Sequence, residues 1–302
     1  MHSRVELEYH IVDVFAETAL AGNPLAVVMD TVGLPTETMQ AIAREFNLSE
    51  TTFVQRRSPA IEQSEGVRVR IFTTEEELNF AGHPTLGTAS VLRRQAPSQP
   101  SSNTIRLALN VGSIPVRFDM ERSDGAAVFG EMTQRDPEFG ALLDGGAVAG
   151  LIGLAREELS SVAPPQVVST GTAFAIVALR SADALARLRV DQERATAWLR
   201  DCGARWFYVL GATGGTDPAF RARMQFYGGE DPATGSAAGC AISYLVRHGL
   251  VESGAQIHVR QGVEIHRPSE LFLRATRADA RVTDVRVGGS TVPVATGHLF
   301  LP

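Results

Sequence analysis

The sequence predicts an α+β protein built from two similar domains. Most of the chain alternates apolar and polar residues with a period of two, as in segments 67–71, 105–118 and 256–266, and such alternation is typical of short strands. Helical patterns are fewer. Glycine-rich turns recur at similar spacing in the two halves, and 302 residues with 44% hydrophobic content can form two cores of ordinary size.

The repeat rests on four glycine-rich segments. AGNPLAVV and FAGHPTLG in the first half have counterparts in STGTAFAIVAL and GEDPATGSAAG in the second. Gly22 precedes Gly171, and Gly82 precedes Gly235, by about 150 residues in each case. We therefore expect two domains that each direct one helix N-terminus toward a shared cleft. Chance similarity among segments rich in glycine and alanine is the alternative.

The clearest helical pattern covers residues 36–46. Apolar residues including Met39 and Ile42 fall on one face after a Pro-Thr start, and Asn47 is expected to end the helix. A second helix-like region covers 85–94 and leads into a polar surface loop at 95–103.

Charged and glycine-containing turns suggest where the chain passes between domains. The first lies around 121–130 and the second near 287–290. The predicted domains are residues 1–125 with about 290–302, and residues 126–289.

Composition excludes several classes of protein. A net charge of −6 and a pI of about 5.7 argue against a general nucleic-acid binder. The first residues lack a signal-peptide pattern, and no segment approaches the roughly 20 apolar residues that cross a bilayer, so we expect a cytoplasmic protein without a membrane partner. Cys202 and Cys240 have no metal-like spacing and are expected to be two buried thiols.

The segment 228–239, GGEDPATGSAAG, combines an acid, a hydroxyl and small residues at a predicted helix start. The first amides of a helix lack internal acceptors and favour a carboxylate or phosphate, so Asp231 and Ser236 could orient a polar substrate there. The turn before the helix-like region at 85–94 has the same character, with His83 between Gly82 and Pro84. A simple helix cap is the alternative for the later segment.

Glu50 and His83 are the candidate proton carriers. Glu50 follows a helix end and opens a β-branched run, where partial enclosure would suit a general acid/base; a solvated surface glutamate is the commoner alternative. His83 is expected to project from a turn and titrates near neutral pH when unperturbed, although a structural histidine is an equal alternative. No metal-ligand spacing, serine-hydrolase elbow, P-loop or dinucleotide fingerprint is present in the sequence.

Several motifs in this order resemble the phenazine-biosynthesis PhzF-like family. They are VDVFAETALAGNPLAVV, NLSETTFV, FAGHPTLG, GEDPATGSAAG and the late QGVEIHRPS, in which a glycine is more usual at His266. The resemblance covers nearly the whole chain. It implies a diaminopimelate-epimerase-type fold, with two pseudo-symmetric domains that each curl a mostly antiparallel, barrel-like sheet around a central helix, and with the active site between them.

The resemblance also implies roles for individual residues. Glu50 would be the acid/base that moves a proton between substrate carbons with no metal or organic cofactor, and His83 and Asp231 would assist. Ser236 would help to hold the substrate, while Gly82 and Gly235 would offer backbone amides. Homodimers are usual in the family, and by the same analogy the last strand, 291–301, would return to the first domain.

Racemases of the same fold use two cysteines at the helix starts as acid and base. The matching positions here are Ala81 and Thr234, so two-thiol racemisation is excluded by the sequence. The leading hypothesis is a cofactor-independent isomerase acting on a small carboxylate-bearing substrate. The alternative is a non-catalytic member that binds a small ligand or a protein, and the choice between isomerase and lyase stays open.

Overall fold

The computed structural model describes residues 5–95, 103–215, 217, 219–226 and 229–301. The chain divides into two compact units. The first comprises Met1–Met132 with Gly288–Pro302, and the second comprises Thr133–Val287. Most of the polar loop expected at 95–103, together with Gly228 at the start of the later glycine-rich segment, lies outside the described residues.

The first unit combines a large sheet with a few helices. Its elements follow one another as β1 (Val5–Val14), β2 (Asn23–Val28), α1 (Thr36–Phe46), β3 (Glu50–Gln55), α2 (Pro59–Glu65), β4 (Val67–Phe72), β5 (Glu77–Leu78), α3 (Gly82–Gln95), β6 (Thr104–Leu109), β7 (Gly112–Asp124) and β8 (Ala127–Thr133).

The second unit has a similar make-up. Its elements are β9 (Glu138–Leu142), α4 (Gly145–Ile152), β10 (Gln166–Ser169), β11 (Ala173–Leu179), α5 (Gln192–Asp201), β12 (Trp206–Ala212), β13 (Phe220–Arg223), β14 (Gln225–Phe226), β15 (Gly229–Glu230), α6 (Gly235–Arg247), β16 (Ile257–Gln261), β17 (Ser269–Ala278) and β18 (Arg281–Leu301). Short 3-10 helices lie at Arg156–Glu158, Ala182–Arg187 and Val263–Ile265. The later part of β18 belongs to the first unit, where it pairs antiparallel with β1.

Helix α1 matches the prediction from its apolar face. Met39, Ile42 and Ala43 are buried, and the half-buried Phe46 meets the ring of Tyr9 edge-on at 5.0 Å. Asn47 adopts the left-handed conformation, with φ of 50°, and its N–H bonds to the Ala43 carbonyl. The asparagine therefore ends the helix as expected, because this residue tolerates positive φ better than most.

Helix α3 fills the interior of the first unit. The strands run in the order β1-β2-β3-β4-β6-β7-β8-β18, and β18 pairs back onto β1. Helix α3 contacts β1, β2, β3, β6 and β7, and its residues from Gly82 to Leu92 are buried. A Cβ at Gly87 would lie 2.6 Å from Leu25, so the helix approaches the strands too closely for a side chain there.

Helix α6 has the same environment in the second unit. Its residues from Gly235 to Val246 are buried, and it packs on β10, β11 and β17. A second apolar layer joins α4 and α5 to the other side of β11 and β12, through residues such as Ile152, Leu199 and Phe207.

The two units share one order of strand pairing. In the first, β1-β2, β3-β4 and β6-β7 are antiparallel, whereas β2-β3 and β4-β6 are parallel. In the second, β10-β11, β12-β13 and β16-β17 are antiparallel, whereas β11-β12 and β13-β16 are parallel. Each parallel pair is joined through helical structure, as a crossover requires. The α+β class predicted from the sequence is confirmed.

One local feature differs from expectation, the burial of Cys202, and two others add detail to it. The charged turn at 121–125 lies within a hairpin, because β7 pairs antiparallel with β8, and the division between units falls after Met132. Cys202 is only half-buried, whereas Cys240 is fully buried. His266 holds a left-handed conformation with φ of 58°, a position at which glycine costs less strain. Among the described helices, none has the length and hydropathy of a membrane span.

Candidate active site

Glu50 stands at the first position of β3. The left-handed Asn47 ends α1 and redirects the chain, and Glu50 then pairs in parallel register with Leu25 of β2. The Glu50 side chain is only 15% exposed, so it is not the solvated surface glutamate that the residue type alone would favour. The carboxylate is held at a strand start with one oxygen close to α3.

The side chain of His83 lies beside the Glu50 carboxylate in space. Its Nδ1 atom lies 3.6 Å from Glu50 Oε2 and 3.3 Å from the Asn23 side-chain nitrogen. His83 is the second residue of α3 and does not project from a turn, because the helix begins at Gly82 and proline is tolerated in a first helical turn. Two predicted site residues, 33 positions apart in sequence, are therefore brought together in the first unit.

Burial determines the charge of His83. Desolvation lowers the pKa of His83 to about 3, with the Pro24 carbonyl acting in the opposite direction. The ring is therefore neutral near pH 7 and forms no ion pair with Glu50, and 3.6 Å exceeds hydrogen-bond distance. A neutral imidazole donates at one nitrogen and accepts at the other, so the Asn23 amide at Nδ1 helps to set which nitrogen carries the proton. Within the described residues, Nε2 has no hydrogen-bond partner.

In the second unit, Asp231, Gly235 and Ser236 lie together at the start of α6. All three are buried, and the Asp231 N–H donates to the Met224 carbonyl at 2.9 Å. The side chain of Thr234, which immediately precedes the helix, donates from its hydroxyl to Asp231 Oδ2 at 2.7 Å. A carboxylate and the first amides of a buried helix are thus concentrated in one place, as the sequence predicted.

Sequence reasoning missed several residues that surround these groups. Asn23 belongs to the AGNPLAVV segment, and Gln261 belongs to the late QGVEIHRPS segment. Gln134 donates from its side chain to the Gly235 carbonyl at 2.8 Å. Asn23 opens the otherwise apolar strand β2, and Gln261 lies on the buried face of the alternating strand β16. A fully buried polar residue at such a core position is the signal that could have found them.

The two thiols lie away from both helix starts. Cys240 is in the second turn of α6, and burial raises its pKa to about 11. Burial also raises the pKa of Cys202, which follows α5. A raised pKa makes both thiols weaker acids, and neither lies at a helix start, where Ala81 and Thr234 stand instead. In the part of the chain that the structure describes, no three His, Cys, Asp or Glu side chains are arranged to hold a metal ion.

Comparison with known proteins identifies the family of this chain. The family model described as phenazine biosynthesis-like protein, PhzC-PhzF, matches residues 12–297. The trans-2,3-dihydro-3-hydroxyanthranilate isomerase of Pseudomonas aeruginosa is 38% identical over 296 residues, covering 97% of this chain and 99% of the relative.

Solved structures extend the comparison. A predicted epimerase from Pseudomonas aeruginosa has a TM-score of 0.82 at 36% identity and covers 97% of this chain and 99% of its own. A hydroxyproline epimerase from Agrobacterium vitis has a TM-score of 0.64 at 10% identity, covering 98% and 91%, and so shares the fold. With the family match across most of its length and close relatives that are named isomerases, this chain belongs to the phenazine biosynthesis-like PhzC-PhzF family and is an isomerase.

Proposed function

We propose that this isomerase works without a cofactor and that Glu50 carries a proton between two carbons of a small carboxylate-bearing substrate. His83 and Asp231 assist the transfer, while Gly82, Gly235 and Ser236 bind the substrate. One observation carries the proposal: the largely buried Glu50 carboxylate lies 3.6 Å from the neutral imidazole of His83 at the start of a buried helix. A titratable group enclosed beside a helix start is a common arrangement for acid/base chemistry.

The reaction needs only the carboxylate and the substrate. Glu50 removes a proton from a carbon next to an activated or vinylogous carbonyl, and the electron pair of the broken C–H bond moves into the conjugated system. The protonated Glu50 then returns the proton to a different carbon, where a new C–H bond forms. All electrons remain in the substrate, so the step balances without an oxidant or reductant.

The buried helix starts suit the charge that develops during this transfer. Negative charge accumulates on the carbonyl oxygen as the proton leaves, and the first amides of a helix are donors without intrahelical acceptors. His83 acts as a neutral group that accepts or donates one hydrogen bond, because burial suppresses its charged form. In this proposal Asp231 and Ser236 fix the substrate carboxylate and its polar substituent.

The substrate class follows from the chemistry together with the relatives. The relative in Pseudomonas aeruginosa is named for a dihydro-hydroxyanthranilate. For this chain we propose the broader class of amino or hydroxy carboxylates, cyclic or acyclic, whose carbon-bound proton is activated by conjugation. The proposal includes a homodimer. It also includes a pseudo-symmetric relation between the two units, which is supported by their shared order of strand pairing.

Proton exchange in D₂O tests the proposal directly. A panel of such carboxylates is incubated with wild type, with Glu50→Gln and with Glu75→Gln, and deuterium incorporation is followed by NMR. Glu75 is an exposed glutamate in the turn between β4 and β5 and is the matched control. We expect exchange and isomerisation by wild type and Glu75→Gln, and loss of at least about 100-fold in Glu50→Gln, since general acid/base groups contribute roughly that much.

Three other outcomes would contradict the proposal. Full activity of Glu50→Gln would show that another residue carries the proton. Accumulation of an elimination product would assign a lyase. A compound that binds tightly for hours with neither exchange nor isomerisation would favour the non-catalytic binding member.

A further inference from the structure

Gln261 is a fully buried polar residue outside the set of proposed catalytic and substrate-binding residues. It is the last residue of β16 and opens the late QGVEIHRPS segment. Its side chain makes four hydrogen bonds, all within the second unit, and three of them are to the loop that carries Asp231. A buried side-chain amide with every hydrogen-bonding position filled is a rigid support.

Two main-chain groups determine how the Gln261 amide is oriented. The Thr234 N–H can only donate and lies 3.2 Å from Oε1, while the Asp231 carbonyl can only accept and lies 2.9 Å from Nε2. Reversing the amide would place two donors against each other and two acceptors against each other. The orientation is therefore fixed by the backbone and does not depend on any tautomer.

This orientation directs the proton of the Thr234 hydroxyl. Gln261 Nε2 lies 3.0 Å from Thr234 Oγ1 and can only donate, so the hydroxyl oxygen must accept this bond. The hydroxyl proton is then available for Asp231 Oδ2 at 2.7 Å. Thr234 makes no side-chain bond that caps α6, in the described part of the chain, which agrees with its hydroxyl being committed to Asp231.

Tyr208 extends the same chain into the core. Its hydroxyl lies 3.1 Å from Gln261 Oε1, and the residue is completely buried. Burial, and secondarily the charge of Asp231, raises the pKa of Tyr208, so the phenol stays protonated and donates. Hydrogen bonds thus run in one direction from Tyr208 through Gln261 and Thr234 to the Asp231 carboxylate.

Gly262 completes the support from the backbone. It has φ of 77°, and a Cβ there would lie 2.7 Å from the Pro232 carbonyl oxygen and 2.3 Å from that of Arg267. Only glycine allows the turn after β16 to pack this closely on the loop after Asp231. The Gln261 side chain and the Gly262 backbone therefore both support the loop that carries Asp231.

We infer that Gln261 is a positioning residue that holds the Asp231 carboxylate in its working orientation through the Thr234 hydroxyl and the Asp231 carbonyl. The inference rests on the proposed function, because it assigns the network a role through Asp231. Thr234 stands at the position where racemases of this fold have a thiol acid/base. In this inference its hydroxyl instead donates a hydrogen bond to Asp231.

The test compares matched variants in the D₂O exchange assay. Gln261→Met and Thr234→Val are expected to lower kcat/KM by about tenfold or more. Thr234→Val removes the donor to the Asp231 carboxylate, and Gln261→Met removes the amide that orients this donor. Thr234→Ser keeps the hydroxyl and is expected to stay within about threefold of wild type. The control is Gln166→Met, because Gln166 is also a buried, hydrogen-bonded glutamine of the second unit but bonds to Gly140 and His248.

A double-mutant cycle separates positioning from simple structural damage. If Gln261 acts through Asp231, then Gln261→Met has little further effect on kcat/KM in an Asp231→Asn background. Equal losses in both backgrounds, or wild-type kcat/KM in Gln261→Met, would overturn the inference while leaving the proposed function intact. Failure of the proposed function would be seen separately, as absence of both isomerisation and exchange by wild type.

A structure of Gln261→Met decides the inference even without a substrate. We expect the Asp231 carboxylate to leave its contact with the Thr234 hydroxyl. If both groups keep their wild-type contact, Gln261 does not position Asp231. Thermal melting of each variant shows whether it has folded.

Discussion

The buried, neutral state of His83 predicts how the stability of the protein depends on pH. In the folded chain the pKa of His83 is about 3, whereas an unfolded histidine has a pKa near 6.5. As the pH falls below about 6.5, the unfolded state binds the proton first, so acid favours unfolding. Above this pH neither state carries the charge, and His83 makes no pH-dependent contribution.

The size of the effect follows from the two pKa values. Between pH 6.5 and 3, each pH unit removes about 1.4 kcal/mol of unfolding free energy through this one residue. From pH 7 to pH 5 the expected loss is about 2 kcal/mol, a large part of the stability of an ordinary domain. The side chain is only 3% exposed, so solvent screening does not reduce this value much.

The assay compares wild type with His83→Asn in urea at pH 7 and at pH 5. Both tryptophans, Trp198 and Trp206, lie in the second unit, so unfolding of the first unit is better followed by far-UV circular dichroism. Wild type is expected to lose about 2 kcal/mol more than His83→Asn between the two pH values. Any constant cost of the substitution cancels, because each protein is compared with itself.

A matched control and a direct measurement make the reasoning refutable. His298→Asn removes a half-exposed histidine of the same unit and is the matched control. In NMR, the His83 ring resonances should not titrate between pH 8 and 5. A His83 resonance that titrates near pH 6, or equal pH dependence in wild type and His83→Asn, would show that the ring is not held neutral.

Two further predictions concern packing and charge. Gly87→Ala should destabilise the first unit by about 1–3 kcal/mol in urea, because its Cβ would overlap neighbouring apolar side chains, whereas Gly150→Ala, with open space around it in α4, should be neutral or stabilising. Glu230→Gln should destabilise the second unit by about 3 kcal/mol, because it breaks an ion pair whose side chains are only 5% and 6% exposed and leaves Arg223 with the more distant Glu264 carboxylate at 3.8 Å. Tryptophan fluorescence would report this, and a change below about 0.5 kcal/mol would contradict it.

Local features of the fold were predictable from the sequence. Helix α1 and its end at Asn47 follow from a pattern confined to about a dozen residues, and the alternation at 67–71 became β4 with Val69 and Ile71 buried. Glycine and small residues also marked the starts of α3 and α6. These signals depend on the backbone preferences of residues within one element, and those preferences can be read from a single sequence.

The contacts within the candidate site could not be predicted in this way. Asn23 meets His83 across 60 positions, and Gln261 meets Thr234 across 27, so each contact depends on which strand lies beside which helix. A period of two identifies the buried face of a strand but not its neighbours. The order of pairing, with parallel and antiparallel neighbours alternating, therefore supplied the information that the motifs lacked.

The two helix starts carry other side chains than the paired thiols of racemases with this fold. At α3, Ala81 carries no exchangeable side-chain proton, and the carboxylate of Glu50 approaches from the adjoining strand to within 3.6 Å of His83. At α6, Thr234 keeps a hydroxyl, but Gln261 turns that hydroxyl toward Asp231. Both helix starts retain backbone amides for an anion, since amides need no particular side chain. Under the proposed function, the single Glu50 carboxylate carries one proton between two carbons, whereas inversion at one carbon requires an acid and a base on opposite faces.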